Sequence, residues 1–260
     1  MPLKLFASVI VTFQGYGLEG LQKSFECEMP AEPHILRPEA LRGHVSKIDP
    51  ATELSASAAV AMREKLPRID NERIGIILGT RAGNHVLARQ YGDRIRRQAS
   101  SPVLFSTSGY SICAGLAAFS AKINGPSLVI AGKQSNWADC LIVASNYIAR
   151  GDADMIWVGQ VEVTEDGKHG ICGLTALAKL QEDDDAQTVK VHFADSDRFI
   201  FNDSAAATLQ KQGLAASFLP TGLDHLHDCI ETCLLTNEDS EALVYNSQFG
   251  RRVIVQRGLL

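Results

Sequence analysis

The stretch GPSLVIAGKQSNWADC, residues 125–140, has the outline of a catalytic corner. A Gly-Pro turn leads into an apolar strand, Leu128-Val129-Ile130, which breaks into a polar loop and resumes as an apolar helix. Corners of this kind present nucleophiles, because the helix N-terminus stabilises developing negative charge. At the tip stands Gln134, whose amide donates and accepts hydrogen bonds but forms no thioester. The nearest thiol, Cys140, lies inside the expected helix on its packing side, away from the helix start where a thiol is activated.

The remaining reactive residue types offer little more. Cys27, Cys113, Cys140, Cys172, Cys229 and Cys233 are scattered without CxxC spacing. Cys229 and Cys233 are one helical turn apart, but no His/Cys cluster completes a zinc site, so all six read as buried, reduced thiols. No metal and no cofactor is expected. The acidic run QEDDDA reads as a solvated hairpin tip.

The elements that must position the corner follow from composition and pattern. The 260 residues, 45% hydrophobic and 21% charged, suffice for one large or two smaller domains with a genuine core. With 25 Lys+Arg against 30 Asp+Glu, the net charge of -5 argues against nucleic-acid or anionic-membrane partners. The opening MPLKLFASVIVTF is soon interrupted by QGYG and lacks a cleavage pattern. No apolar run is long enough to cross a bilayer, so a cytoplasmic location is expected.

Apolar strands alternate with helices along the first half. Strands are expected at FASVIVTF, RIGIILGT (73–80), SLVIAG and ADMIWVGQVEV (153–163), and helices at 51–66, 110–123 and 136–151. In the second half, strands are expected at 170–180, 188–195, 241–249 and 251–258, and helices at 203–213 and 223–235. Continuous apolar strands separated by helices imply an α/β layered fold with the sheet covered on both faces.

Residues 100–163, from SSPVLFSTSGYSICAGLAAFSAKINGPS to ARGDADMIWVGQVEV, resemble the N-terminal half of β-ketoacyl synthases. The upstream KIDPATELSASAAVAM resembles that family's first long helix, so the resemblance covers most of residues 1–165. It implies a thiolase-like layered αβαβα fold, with a ketosynthase-like N-terminal half over 1–165 and a shortened second repeat over 166–260. Counting from Gly125, Gln134 stands where an active ketosynthase carries its acyl-accepting cysteine.

Active ketosynthases also need two histidines, one in an HGTGT-like motif and one in a Gly-His pair with a Lys five residues before the His. SFLPTGLDHLHDCIETCLL (217–235) is similar to the latter region, and places Phe218 and Leu223 where the Lys and His belong. His192 is a loose match to the first histidine but no GTGT follows it, and His225 and His227 read as helix-surface residues. The closing YNSQFGRRVIVQRG resembles the family's NSFGFGG stretch, with Arg251 and Arg252 replacing its Gly-rich turn.

The combination resembles the chain-length factors of type II polyketide synthases. That resemblance implies a non-catalytic subunit that pairs with an active ketosynthase, shapes the acyl-chain tunnel, and meets acyl carrier protein mainly through the partner. His85, Ala88 and Tyr91, with Leu87 as a neighbour, match the segment whose side chains close the tunnel. The plainer reading of NHVLARQYGDRIRR is an amphipathic surface helix. Two other functions stay open: a malonyl-carrier-protein decarboxylase using Gln134, and a stand-alone thiolase-fold binding protein. The apolar helix 137–149 and strand 155–161 are expected to leave a face for the partner to cover.

Overall fold

A computed structural model describes residues 3–16, 19, 38–42, 47–66, 70–132, 136–179, 189–195, 226, 229–230, 233, 242–246 and 251–257. Its strands are β1 (Leu3–Thr12), β2 (Gly15–Tyr16), β3 (Ile74–Thr80), β4 (Ser127–Ala131), β5 (Met155–Val163), β6 (Gly170–Lys179), β7 (Val189–Asp195), β8 (Ala242–Asn246) and β9 (Arg251–Arg257). The helices are α1 (Pro50–Lys65), α2 (His85–Arg96), α3 (Pro102–Thr107), α4 (Ile112–Ala121) and α5 (Trp137–Ala149). The expected acidic hairpin tip, the helix at 203–213 and most of that at 223–235 lie outside the described residues, as does Cys27.

The strands form one mixed sheet in the order β4-β3-β5-β6-β1-β7-β9-β8, with β2 appended to β1. β3 runs parallel to β4 and β5, and the other pairings are antiparallel. β1, from the first half of the chain, thus lies between β6 and β7 of the second, and β5 of the first half pairs with β6.

Apolar alternation along the strands fills two cores. Ile74, Ile76 and Leu78 of β3, with Met155, Trp157 and Val161 of β5, pack under α1 and α4. Ile77, Ile156 and Val158 point the other way, into a second core with Trp137, Leu141 and Ala144 of α5. Leu226, Cys229, Ile230 and Cys233 join that second core at helical spacing. In β1 the inward parity changes: Leu5 faces one core and Val9 the other, across a register shift between Leu5 and Ser8.

Helix α5 touches β3, β5 and β6 and also β8 and β9, so strands far apart in the sheet order reach the same helix. This is the layered arrangement that a thiolase-like fold requires. It also corrects one expectation. β5 is buried along its whole length between β3 and β6 and leaves no open face, whereas α5 is buried at Trp137–Leu141, Ala144 and Ile148 and keeps Ile142, Val143 and Tyr147 half-buried. Among the described residues the large exposed apolar side chains are Tyr16 and, in the α2–α4 region, Ile95, Val103, Phe105, Tyr110 and Phe119, with Phe105 66% exposed.

Candidate functional site

The corner leading into α5 lies at the carboxyl ends of the parallel strands, where open α/β sheets place their ligands. Gln134 itself, with Lys133 and Ser135, lies outside the described residues, as do Phe218 and Leu223. Their roles in a vacated active site stay a proposal. The described residues on either side of the corner are Gly132 and, from Asn136 on, the start of α5.

Asn136, buried just before α5, staples two strand ends: its Nδ2 donates to the carbonyls of Thr80 (3.0 Å) and Ile130 (2.9 Å). Gly132 packs closely under Asn136: a Cβ there would stand 2.5 Å from Asn136 Oδ1 and force that side chain to shift. Trp137, the first residue of α5, is fully buried in the core. The helix start is then closed from behind by Gln160 of β5. With its amide turned oxygen-first, the orientation its neighbours require, Gln160 accepts from the backbone N–H groups of Asn136 (2.9 Å) and Trp137 (3.2 Å).

Those two amides belong to the N-terminal set that a helix leaves unpaired and that would otherwise face a bound anion. Here they are spent inside the protein. Cys140 is buried on the same helix, and burial pushes its thiol well above the ordinary range, with the Asp139 carboxylate adding to the shift. It is a packing residue and holds no activated thiolate. Burial likewise pushes Cys113 up to about 12, and Cys172 and Cys229 are raised by the same cause. The described cysteines are free and buried, and no cluster of His, Cys, Asp and Glu fit to hold a metal ion occurs among the described residues.

The segment expected to line a tunnel is the first turns of α2. Leu87 is its buried residue and anchors the helix inward. Ala88 is exposed, and Tyr91 packs its ring against Phe105, 5.7 Å between centroids. His85 is half-buried, its Nε2 3.2 Å from the Thr164 carbonyl on the β5–β6 hairpin. Tyr91 thus lies toward the open apolar surface and Ala88 is open to solvent, whereas His85 sits against the hairpin. His192 lies in β7 opposite Ile254, which fixes only its strand position.

Sequence reasoning passed over the residues that fix α2. Asp49, buried before α1, accepts from Ala51 N (3.0 Å) as a helix cap and from Leu87 N (2.8 Å) in the first turn of α2. Burial raises its carboxyl above the ordinary range, while the Leu87 and Ala51 amides and the charge of His85 pull it back. Asn84 accepts from Thr52 Oγ1 (2.8 Å) and donates to the carbonyls of Thr107 and Gly109, both 3.1 Å. Gly83 takes a φ of +55° beneath the Tyr110 ring, which a Cβ would meet at 2.5 Å. The signals were present: Asp-Pro opening a helix for Asp49, and two polar residues ending an apolar strand for Gln160 and Glu162.

A family model described as "Beta-ketoacyl synthase, N-terminal domain" matches residues 40–213, most of the chain. The chain belongs to the β-ketoacyl synthase family. Solved structures of ketosynthase-like proteins share its fold. The ishigamide ketosynthase/chain length factor is 14% identical at a TM-score of 0.64, with 100% of both chains covered. A ketosynthase in complex with its chain length factor from Xenorhabdus doucetiae is 13% identical at a TM-score of 0.62, covering 99% of this chain and 100% of that one. A type II polyketide synthase acyl-carrier protein in complex with its ketosynthase, bound to the hexaketide, reaches a TM-score of 0.67 at 10% identity, covering 100% and 99%. At such identities the likeness is one of fold. No curated relative matches the chain in sequence. No described helix of this ketosynthase-like chain is long and apolar enough to cross a membrane.

Proposed function

We propose that this ketosynthase-family chain is a non-catalytic subunit resembling a chain-length factor. It pairs with an active ketosynthase in a polyketide-type synthase, and helps wall the tunnel that holds the growing acyl chain. The partner performs the condensation and receives acyl and malonyl groups from acyl carrier protein. One observation carries the reading. The amides of Asn136 and Trp137, at the helix start where a nucleophile would be activated, are occupied by Gln160. A corner so closed stabilises no oxyanion through these groups, and Gln134 at its tip is no nucleophile. The apolar side chains left open on α2, α3 and α4 support a protein partner on that side, since large exposed apolar patches mark interaction surfaces.

The test is co-expression with a full ketosynthase that carries its cysteine and both histidines, followed by native mass measurement. A one-to-one complex is expected, and a well-behaved, monodisperse monomer that ignores the ketosynthase counts against the reading. In that complex, Gln134→Cys combined with removal of the partner's own cysteine restores no chain extension. Measurable extension overturns the non-catalytic assignment. Ala88→Phe, at an exposed position on α2, shortens the product without dissociating the complex.

A further inference from the structure

Helix α2 and the corner before α5 leave the sheet at neighbouring strand ends, and one buried polar chain joins them. Its centre is Thr80, the last residue of β3. The Thr80 carbonyl accepts from Asn136 Nδ2 (3.0 Å) and Gly132 N (3.2 Å), on the corner's side. The Thr80 hydroxyl donates to Glu162 Oε1 (3.0 Å) and accepts from Gly83 N (2.8 Å), on the side of α2. Glu162 also accepts from the backbone N–H of Arg81 and, through Oε2, from that of Ala82 (3.4 Å). Successive donors of the loop that launches α2 therefore converge on one carboxylate only 2% exposed.

Glu162 and Gln160 stand two residues apart on β5, so both project from the same face of the strand. One holds the start of α5 and the other the approach to α2. Beyond the loop, Asn84 and Asp49 clamp the first turn of α2 to α1 and to the end of α3.

We propose that Glu162 is a positioning residue for chain length. It sets the direction in which α2 leaves the sheet, and so how far Ala88 and Tyr91 reach toward the partner's acyl chain, without touching that chain. The proposal rests on α2 being part of the tunnel wall. Its physical basis is the donor count: an ionised carboxylate is acceptor-only, and every bond it makes here takes an N–H or O–H. Glu162→Gln keeps the size but turns one acceptor into an NH2 donor: with the carbonyl kept where Thr80 and Arg81 donate, the NH2 faces the Ala82 N–H. A buried donor–donor contact is not tolerated, so the loop relaxes and α2 draws back from the tunnel.

The experiment uses the intact complex with the active ketosynthase. Product-length distribution is measured per mole of complex for Glu162→Gln, Thr80→Val and Ala88→Phe, with complex integrity followed by native mass measurement. Glu162→Gln is expected to shift the modal product to a longer chain by one extension unit while the complex stays intact. Thr80→Val removes one donor to the carboxylate and the acceptor of Gly83 N but leaves the backbone amides of Arg81 and Ala82 on the carboxylate, and is expected to give a smaller shift in the same direction. A merely structural role lowers all products in proportion and leaves their distribution alone, which overturns the proposal. So does failure of both variants to assemble. An unchanged distribution in both, with Ala88→Phe still shortening the product, overturns the role of Glu162 and leaves the proposed function standing. If Ala88→Phe changes nothing either, α2 is not the wall and both fall.

Discussion

Strands β3 and β5 lie side by side, and their two ends are held together by opposite means. At the amino end, Arg73 grips Asp154 in a fork, Nε and Nη2 each 2.7 Å from a carboxylate oxygen, with side chains 42% and 57% exposed. At the carboxyl end, Thr80, Gln160 and Glu162 are buried and bind to loops and a helix start. The exposed pair stays in water, so its Coulomb gain is small and salt-screened, and backbone bonds such as Asp154 N to Arg73 O (2.9 Å) hold the same strand ends without it. The buried groups have no water to fall back on and must satisfy one another. The sheet is thus fastened loosely at one end and specified narrowly at the end where function belongs.

The largest effect expected from this contrast is at Trp137. Trp137→Ala empties a fully buried site at the specified end and should cost about 3–5 kcal/mol in denaturant unfolding of the chain. A loss below about 1 kcal/mol would show that the corner is not the packed junction described here.

A smaller effect, of a sharper kind, is expected from the carboxylates. Burial raises Asp49 in the folded state, so the folded chain binds its proton more tightly than the unfolded chain does. Its contribution is therefore fully present below the unfolded value and declines as pH rises through the folded one. Asp154 behaves oppositely: the hydrogen bond from Arg73 holds it below the ordinary range, so its contribution is present above the unfolded value and lost as pH falls through the folded one. Unfolding across the acid range should show Asp49→Asn and Asp154→Asn altering the pH slope in opposite directions. Asp49→Ala should also remove a helix cap, costing roughly 1–2 kcal/mol. Slopes of the same sign would contradict the contrast between the two ends.

The smallest effect is expected from Arg73→Ala. The melting temperature should fall slightly in low salt and not at all in high salt, as an exposed pair predicts. A large, salt-independent loss would mean that the amino end is specified as narrowly as the carboxyl end.

How much of this was legible beforehand depends on range. β3, β4, β5 and α5 fall within a few residues of their expected bounds, because apolar runs bounded by Gly, Pro and Asn carry their own stop signals. The stretch 110–123, expected as one helix, is shorter in the structure: α4 is Ile112–Ala121, with the separate turn of α3 before it, started by Ser101 and Pro102. The expected apolar face of β5 is covered by its neighbours, since strand order is not written in any one strand.

Local pattern, then, determined which segments are strands and helices, that both faces of the sheet are covered, and that the corner carries a glutamine in place of a nucleophile. Tertiary structure decided what surrounds that corner. Gln160 lies 26 positions beyond Gln134 in the chain, and it meets the start of α5 only because β5 pairs beside β3. The same pairing sets Glu162 against the loop after Thr80. Hydrogen-bond partners this far apart in sequence leave no periodic trace. They exist only once the chain has excluded water and each buried donor must find an acceptor.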